Sequence, residues 1–160
     1  MPTQAHFSRI REVIVQHLNG AQVSVVVAVA WFTDCIIFNS LISCLRRDVV
    51  VSVVVLDHCI NRRSSIPWDR FTELGGQLRW LPDEDSGSMH HKFCIVDGST
   101  VITGSFNWTY RASRGHENVL ILKGDEEIAK QFQRETALLL TEHELSQANR
   151  EAALARDWAK

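Results

Sequence analysis

The order of apolar and polar positions resolves the chain into alternating helices and strands. Phe7, Ile10, Val13, Ile14 and Leu18 recur at helical spacing and Asn19-Gly20 supplies a stop, so an amphipathic helix is expected near the start. Val23 to Trp31 is Val-rich without alternation, the pattern of a strand covered on both faces. Thr33 or Asp34 is placed to cap a second helix through Leu45, with Arg46 and Arg47 at its negative end. Val49 to Leu56 is a second buried strand. Asn61 to Pro67 is polar and loop-like, and Pro67 suits the first turn of a short helix closing at Leu74-Gly75-Gly76. Gln77 to Leu81 forms a third strand, and Pro82 to Ser88 a turn-rich connector. Met89 to Val96 and Thr100 to Gly104 read as a hairpin, followed by a strand near Asn118 to Leu122. A helix runs from Asp125 to about Leu145. Beyond it, Ala152, Ala153, Ala155 and Trp158 either extend that helix onto the body or a partner, or fray. The order βαβαβ, hairpin, βα predicts an α/β fold, a mixed β-sheet flanked by helices on both faces.

Composition narrows the function. A length of 160 residues accommodates one domain with one core, expected over about residues 7–145. The 45% hydrophobic and 22% charged content excludes a disordered or collagen-like chain. A net charge of −2 excludes a bulk polycation, so any nucleic-acid contact must come from a local patch. Thirteen Arg against four Lys favours the planar fork that suits phosphate. The longest apolar run, Val23 to Phe32, is about half the length of a membrane-spanning helix, so stable membrane insertion is not expected. Cys35, Cys44, Cys59 and Cys94 form no CxxC, and three of them fall on predicted strands or an apolar helix face. Neither a metal nor another cofactor is expected. With no signal-peptide pattern at Met1, the expectation is a reducing, cytoplasmic setting.

The chemistry concentrates in His90-His91-Lys92-Phe93-Cys94-Ile95-Val96-Asp97-Gly98 and Gly104-Ser105-Phe106-Asn107. On a strand, His90 and Lys92 share a face, and His91 points away. A type II′ turn at Gly98-Ser99 would set His90 opposite Asn107 and Lys92 opposite Ser105, with facing Cβ atoms roughly 5 Å apart. An imidazole surrounded by ammonium, hydroxyl and amide donors suits a phosphoryl group in transfer. Neutral imidazole can attack phosphorus, and the protonated form can protonate the leaving oxygen.

These residues, HxK-x4-D-x6-GSxN at His90, Lys92, Asp97, Gly104, Ser105 and Asn107, resemble the signature of the phospholipase D superfamily. Six fixed positions would match by chance about once in a few hundred thousand chains of this size, which makes the likeness specific. It extends from about Val23 to Leu140, through Trp31-Phe32-Thr33-Asp34 and Glu117-Asn118. The resemblance implies two-step phosphodiester cleavage through a phosphohistidine, with two motif histidines, one nucleophile and one general acid. This chain has one motif. It therefore resembles the small single-motif members, the bacterial endonucleases and the mitochondrial cardiolipin-hydrolase or nuclease type, which pair two motifs across a homodimer. Carried over position by position, His90 is the nucleophile and a second copy's His90 the acid. Lys92 and Asn107 bind phosphate, with Ser105 beside them. Glu117 orients the histidine, while Asp97 and Gly104 are structural, Asp97 accepting from turn amides.

Several neighbours have weaker claims. Trp108 could stack on a base, with packing in the core or a dimer interface an equal alternative, and Arg111 and Arg114 could line a phosphate-binding groove. Arg46-Arg47 and Arg62-Arg63 are further candidates for that groove, with a solvated helix end or loop the default reading of each pair. Asp83, Glu84 and Asp85 oppose a polyanion unless they point away or pair with Arg. The leading expectation is a metal-independent nuclease acting on DNA or RNA as a homodimer. The alternatives are a phospholipid phosphodiesterase acting on a lipid such as cardiolipin, and a nucleic-acid-binding module without turnover.

Overall fold

The computed structural model describes residues 3–83 and 88–158, with side chains through 152. Seven strands form one mixed sheet: β1 (Thr3–His6), β2 (Ser24–Val29), β3 (Val50–Asp57), β4 (Gln77–Pro82), β5 (Lys92–Val96), β6 (Thr100–Gly104) and β7 (Val119–Lys123). Their order is β1-β7-β6-β5-β2-β3-β4. β2, β3 and β4 are parallel, and every other neighbouring pair is antiparallel. The α/β mixed sheet expected from the sequence is therefore present. β1 was not expected: Thr3–His6 lacks an apolar alternation and is held by the edge of β7.

Both faces of the sheet are covered. Val25, Val27 and Val29 pack with Ile10, Ile14 and Leu18 of α1 (Ile10–Gly20) and with Ile37 and Leu41 of α2 (Cys35–Leu45). Ala28, Val54, Phe93 and Ile95 point the other way, toward Ala129 and Phe132 of α5 (Glu126–Trp158). A continuous Val run follows from this, since no β2 position faces water on both sides. Asp34 caps α2, its carboxylate accepting from the Ile36 and Ile37 amides. Phe7, placed on the first helical face by its spacing, lies outside α1 and is 73% exposed. The polar stretch after β3 carries a helical turn, α3 (Cys59–Arg62), ahead of α4 (Trp68–Glu73). Glu84 and Asp85 lie outside the described residues. Of the four thiols only Cys44 and Cys94 are buried; Cys35 and Cys59 open their helices toward solvent. Among the described residues no helix is long and apolar enough to cross a membrane.

The β5–β6 hairpin departs from the expected register. Its turn is centred on Asp97 (φ 51°) and Gly98 (φ 61°), both left-handed, and the Ser99 amide donates to the Val96 carbonyl at 3.2 Å. That is a type I′ geometry, favoured by Asp-Gly, rather than the II′ turn at Gly98-Ser99. Phe93 pairs with Thr103 and Cys94 with Ile102, one residue off the predicted alignment. β5 also begins at Lys92, so His90 precedes the strand. The facing pairs His90–Asn107 and Lys92–Ser105 do not form as ladder partners.

Candidate active site

Strand direction, not hairpin pairing, gathers the motif. β1, β2, β3, β4 and β6 end at the same edge of the sheet where β5 and β7 begin. Trp31, His58, His90, Lys92, Ser105, Asn107 and Glu117 therefore converge there, at the carboxyl ends of the parallel strands.

Each side chain is held by a distinct local device. The Ser105 and Asn118 backbones join through the Ser105 amide and the Asn118 carbonyl at 3.1 Å, and the Asn118 amide donates to Ser105 Oγ at 3.1 Å. Ser105 Oγ in turn donates to Glu117 Oε2. The approach leaves no room for a side chain at Gly104, where a Cβ would lie 2.1 Å from the Asn118 carbonyl oxygen. Asn107 precedes Trp108, which bridges Phe32 in parallel, and its Oδ1 is buried without a partner. Lys92 Nζ donates to the His90 carbonyl at 2.6 Å. Desolvation pushes the Lys92 ammonium below its ordinary pKa, against the pull of the nearby Glu117 charge. Glu117 thus sits on Ser105 and within reach of Lys92's field; among the described residues it makes no hydrogen bond to His90.

His90 packs edge-on against Trp31, ring centroids 6.0 Å apart. Part of its ring is solvent-exposed. Partial desolvation first, then the positive charges of Lys92 and His91, lowers its pKa from the ordinary 6.5. The neutral, nucleophilic form is therefore favoured to lower pH. The His90 resonances are expected to titrate with a midpoint below 6.5, and Lys92→Gln is expected to raise that midpoint. An NMR pH titration checks both; a midpoint at or above 6.5 contradicts the assigned environment.

His91 turns to the other side of the sheet, where its Nε2 lies 2.9 Å from Glu135 of α5. Asp97 sits at the far end of β5. It accepts from the Gln22, Val23 and Ser24 amides at the start of β2, not from its own turn. Desolvation raises its pKa, but those three amides outweigh it and hold the carboxyl below the ordinary value.

The structure decides between the readings left open for Trp108 and the arginine pairs. Trp108 is 2% exposed and packs on Phe32, so it cannot stack on a base. Arg47 caps carbonyls of Leu18 and Ala21, and Arg62 is paired with Asp57 and stacked on Trp80, so neither is a free phosphate ligand. Arg111 and Arg114 are exposed. His58, outside the motif, was missed. It lies on Trp31 with ring centroids 6.0 Å apart, its Nε2 3.7 Å from Asp83 Oδ2. The hint was positional, a histidine one residue past a buried parallel strand. Among the described residues, no group of three or more His, Cys, Asp or Glu side chains is placed to hold a metal ion.

A family model described as the PLD-like domain of cardiolipin synthase matches residues 14–139. The chain belongs to the phospholipase D-like family. Among this family's curated members, the mitochondrial cardiolipin hydrolase of Xenopus laevis is 35% identical over 143 residues, covering 89% of this chain and 64% of that protein. The Danio rerio protein of the same name is 32% identical over 141 residues, covering 82% of this chain and 56% of its own length. This phospholipase D-like chain thus spans less than two thirds of either relative. Its fold is that of a phospholipase D family member, Nuc from Salmonella typhimurium, with a TM-score of 0.73 at 24% identity over 84% of this chain and 90% of that one. TrmBL2, an archaeal chromatin protein described with a mode of DNA binding, shares the fold at TM-score 0.66 and 16% identity, over 89% of this chain and 53% of that one.

Proposed function

We propose that this chain is a metal-independent phosphodiesterase that cleaves nucleic acid through a phosphohistidine, its site completed by a second copy of the chain. One observation carries the reading. A single motif histidine of lowered basicity stands at a sheet edge beside Lys92, Ser105 and Asn107, and the chemistry requires two histidines.

In the first step a His90 ring nitrogen attacks phosphorus. The P–O bond to the leaving group breaks, and the second copy's protonated His90 gives its proton to the departing oxygen. In the second step that histidine, now neutral, takes a proton from water. The hydroxide displaces the His90 nitrogen from phosphorus, yielding a phosphomonoester and restoring both histidines. Lys92 and Asn107 stabilise the charge that grows on the non-bridging oxygens. The hydroxyl of Ser105, fixed by Glu117, braces the same loop. Gly104 allows the close approach to Asn118 and Asp97 holds the hairpin to β2, so both act on structure alone.

The relatives' name supports a second reading, hydrolysis of a phospholipid such as cardiolipin, because the same residues would serve. The Arg bias favours nucleic acid. A binding module without turnover is the third reading, and the intact His90, Lys92 and Asn107 weigh against it. The four free thiols support a reducing setting such as the cytoplasm, with Cys94 pushed up to about 12 by burial.

The test is cleavage of plasmid, single-stranded DNA, RNA and cardiolipin vesicles in EDTA. Nucleic-acid cleavage is expected. Hydrolysis of vesicles alone would support the lipid reading, and activity that appears only with added Mg²⁺ would overturn the mechanism.

A further inference from the structure

Next to the site lies a groove of about 440 Å³ that the catalytic argument does not use. Phe106, between Ser105 and Asn107, lines it, and so does Gly115, where a Cβ would lie 3.9 Å from the Glu117 carboxylate. The groove therefore abuts the motif through Phe106 and Gly115, while His90, Lys92, Ser105 and Asn107 are not among its lining residues. Its remaining walls come from the segment after β1 and from Tyr110, Ala112, Ser113 and Arg114.

The charges there are unequally available. Arg11 is spent, its Nε on Asp34 Oδ2 at 2.7 Å and its Nη2 on Ser113 Oγ at 2.8 Å. Arg114 is braced rather than neutralised: its guanidinium lies 4.8 Å from the Tyr110 ring centroid, and Nη2 donates to the Tyr110 hydroxyl at 3.1 Å. Arg9 is exposed and has no carboxylate partner among the described residues. Glu12 is the one acidic side chain lining the groove. Phe7 is 73% exposed on its rim, a large apolar ring left in water in the same groove as the guanidinium groups of Arg9 and Arg114, neither of which is paired with a carboxylate among the described residues. A base has a π-face for such a ring, and a phosphodiester has charge for such a pair.

We infer that this groove holds one nucleotide of a single-stranded nucleic acid, its base on Phe7 and its phosphate between Arg9 and Arg114. The inference rests on the nuclease reading and names its substrate class. A duplex keeps its bases stacked on one another and offers none to Phe7. A bilayer would need a protruding apolar cluster, whereas here Phe7 and Tyr110 line a concave wall shared with arginines, and the Tyr110 ring is already faced by Arg114.

The test uses the full chain in a His90→Ala background, which binds without cleaving. Fluorescence anisotropy compares a labelled single-stranded deoxyoligonucleotide, an abasic strand of equal length and a duplex. Phe7→Ala is expected to weaken the natural strand about fivefold or more, with less than about a twofold effect on the abasic strand or the duplex. Arg9→Gln and Arg114→Gln are expected to weaken both single strands, each flattening the salt dependence by roughly 0.7 in log–log slope. Equal effects of Phe7→Ala on natural and abasic strands would overturn the assignment. So would a change in oligomeric state, or a loss confined to anionic vesicles. If the wild type cleaves strands in EDTA while Phe7→Ala binds them like its parent, the groove assignment falls and the nuclease reading stands. If no strand is bound or cleaved while cardiolipin vesicles are hydrolysed, both fall.

Discussion

Replacing His90 with alanine is expected to lower phosphodiester cleavage on the order of 10⁴-fold or more while leaving the fold intact. The ring is largely at the surface and packs edge-on to Trp31 without entering either core cluster, so the variant loses a reacting atom and little packing. Circular dichroism and the denaturant midpoint are expected to match wild type. The sharper measurement is a mixture. If a twofold pair of motifs forms the site and both histidines are needed, equal parts of wild type and His90→Ala leave about a quarter of the activity after subunit exchange. Retention of half would mean that each chain works alone. The acid role would then pass to an imidazole of the same chain, and His58, which like His90 packs on Trp31, is the candidate to test. His58→Ala in the wild-type background separates the cases: it is expected to reduce activity only mildly if the acid comes from the second copy.

The extent to which the site was legible in the sequence follows from what its parts depend on. The motif is a matter of residue type and spacing, so His90, Lys92, Ser105 and Asn107 stood out before any geometry. The Val-rich strands and the Asp34 cap likewise follow from local rules, hydrophobic run length and the carboxylate's reach to two amides. The mode of assembly was not local. Asp97-Gly98 and Gly98-Ser99 are both acceptable hairpin turns, and a choice between them shifts every facing pair by one residue. The left-handed pair at Asp97 and Gly98 wins because the Asp97 carboxylate also gathers three amides of the β2 entry, an interaction between residues more than 70 positions apart. Trp108 left stacking and core packing both open for a similar reason. An aromatic after a motif has the same composition whether it meets a base or Phe32, and only the bridge between residues 32 and 108 decides.

Asn61→Ala is expected to destabilise the protein by about 2 to 3 kcal/mol, lowering the melting temperature by roughly 5 to 10 °C. In sequence Asn61 begins a polar, loop-like stretch. In the structure it is 1% exposed and satisfies three buried backbone groups. Its Oδ1 accepts from the Phe32 amide at 2.7 Å, and its Nδ2 donates to the carbonyls of Ala30 and Leu56, each at 2.7 Å. Those groups lie where β2 and β3 end and the chain turns toward Trp31 and His58. The truncation leaves the buried Phe32 amide without a partner, which costs more than an ordinary net hydrogen bond contributes, while the Ala30 and Leu56 carbonyls each lose one donor but keep the Leu56 and His58 amides at 3.3 and 2.9 Å. Urea denaturation checks the size of the loss, and an unchanged m-value would show that the unfolded state is not the cause. Asn61→Asp gives the converse with its own sign. It keeps the acceptor for Phe32 but aims a carboxylate at two carbonyl oxygens, which raises its pKa in the folded state. A raised carboxyl pKa makes the folded state bind more protons than the unfolded one, so this variant is expected to gain stability relative to wild type as pH falls. Because Trp31 follows Ala30 directly and carries the edge of His90, both variants are expected to lose cleavage activity in excess of any unfolded fraction. Activity that merely tracked the folded fraction would show that Asn61 supports the fold without setting the position of the site.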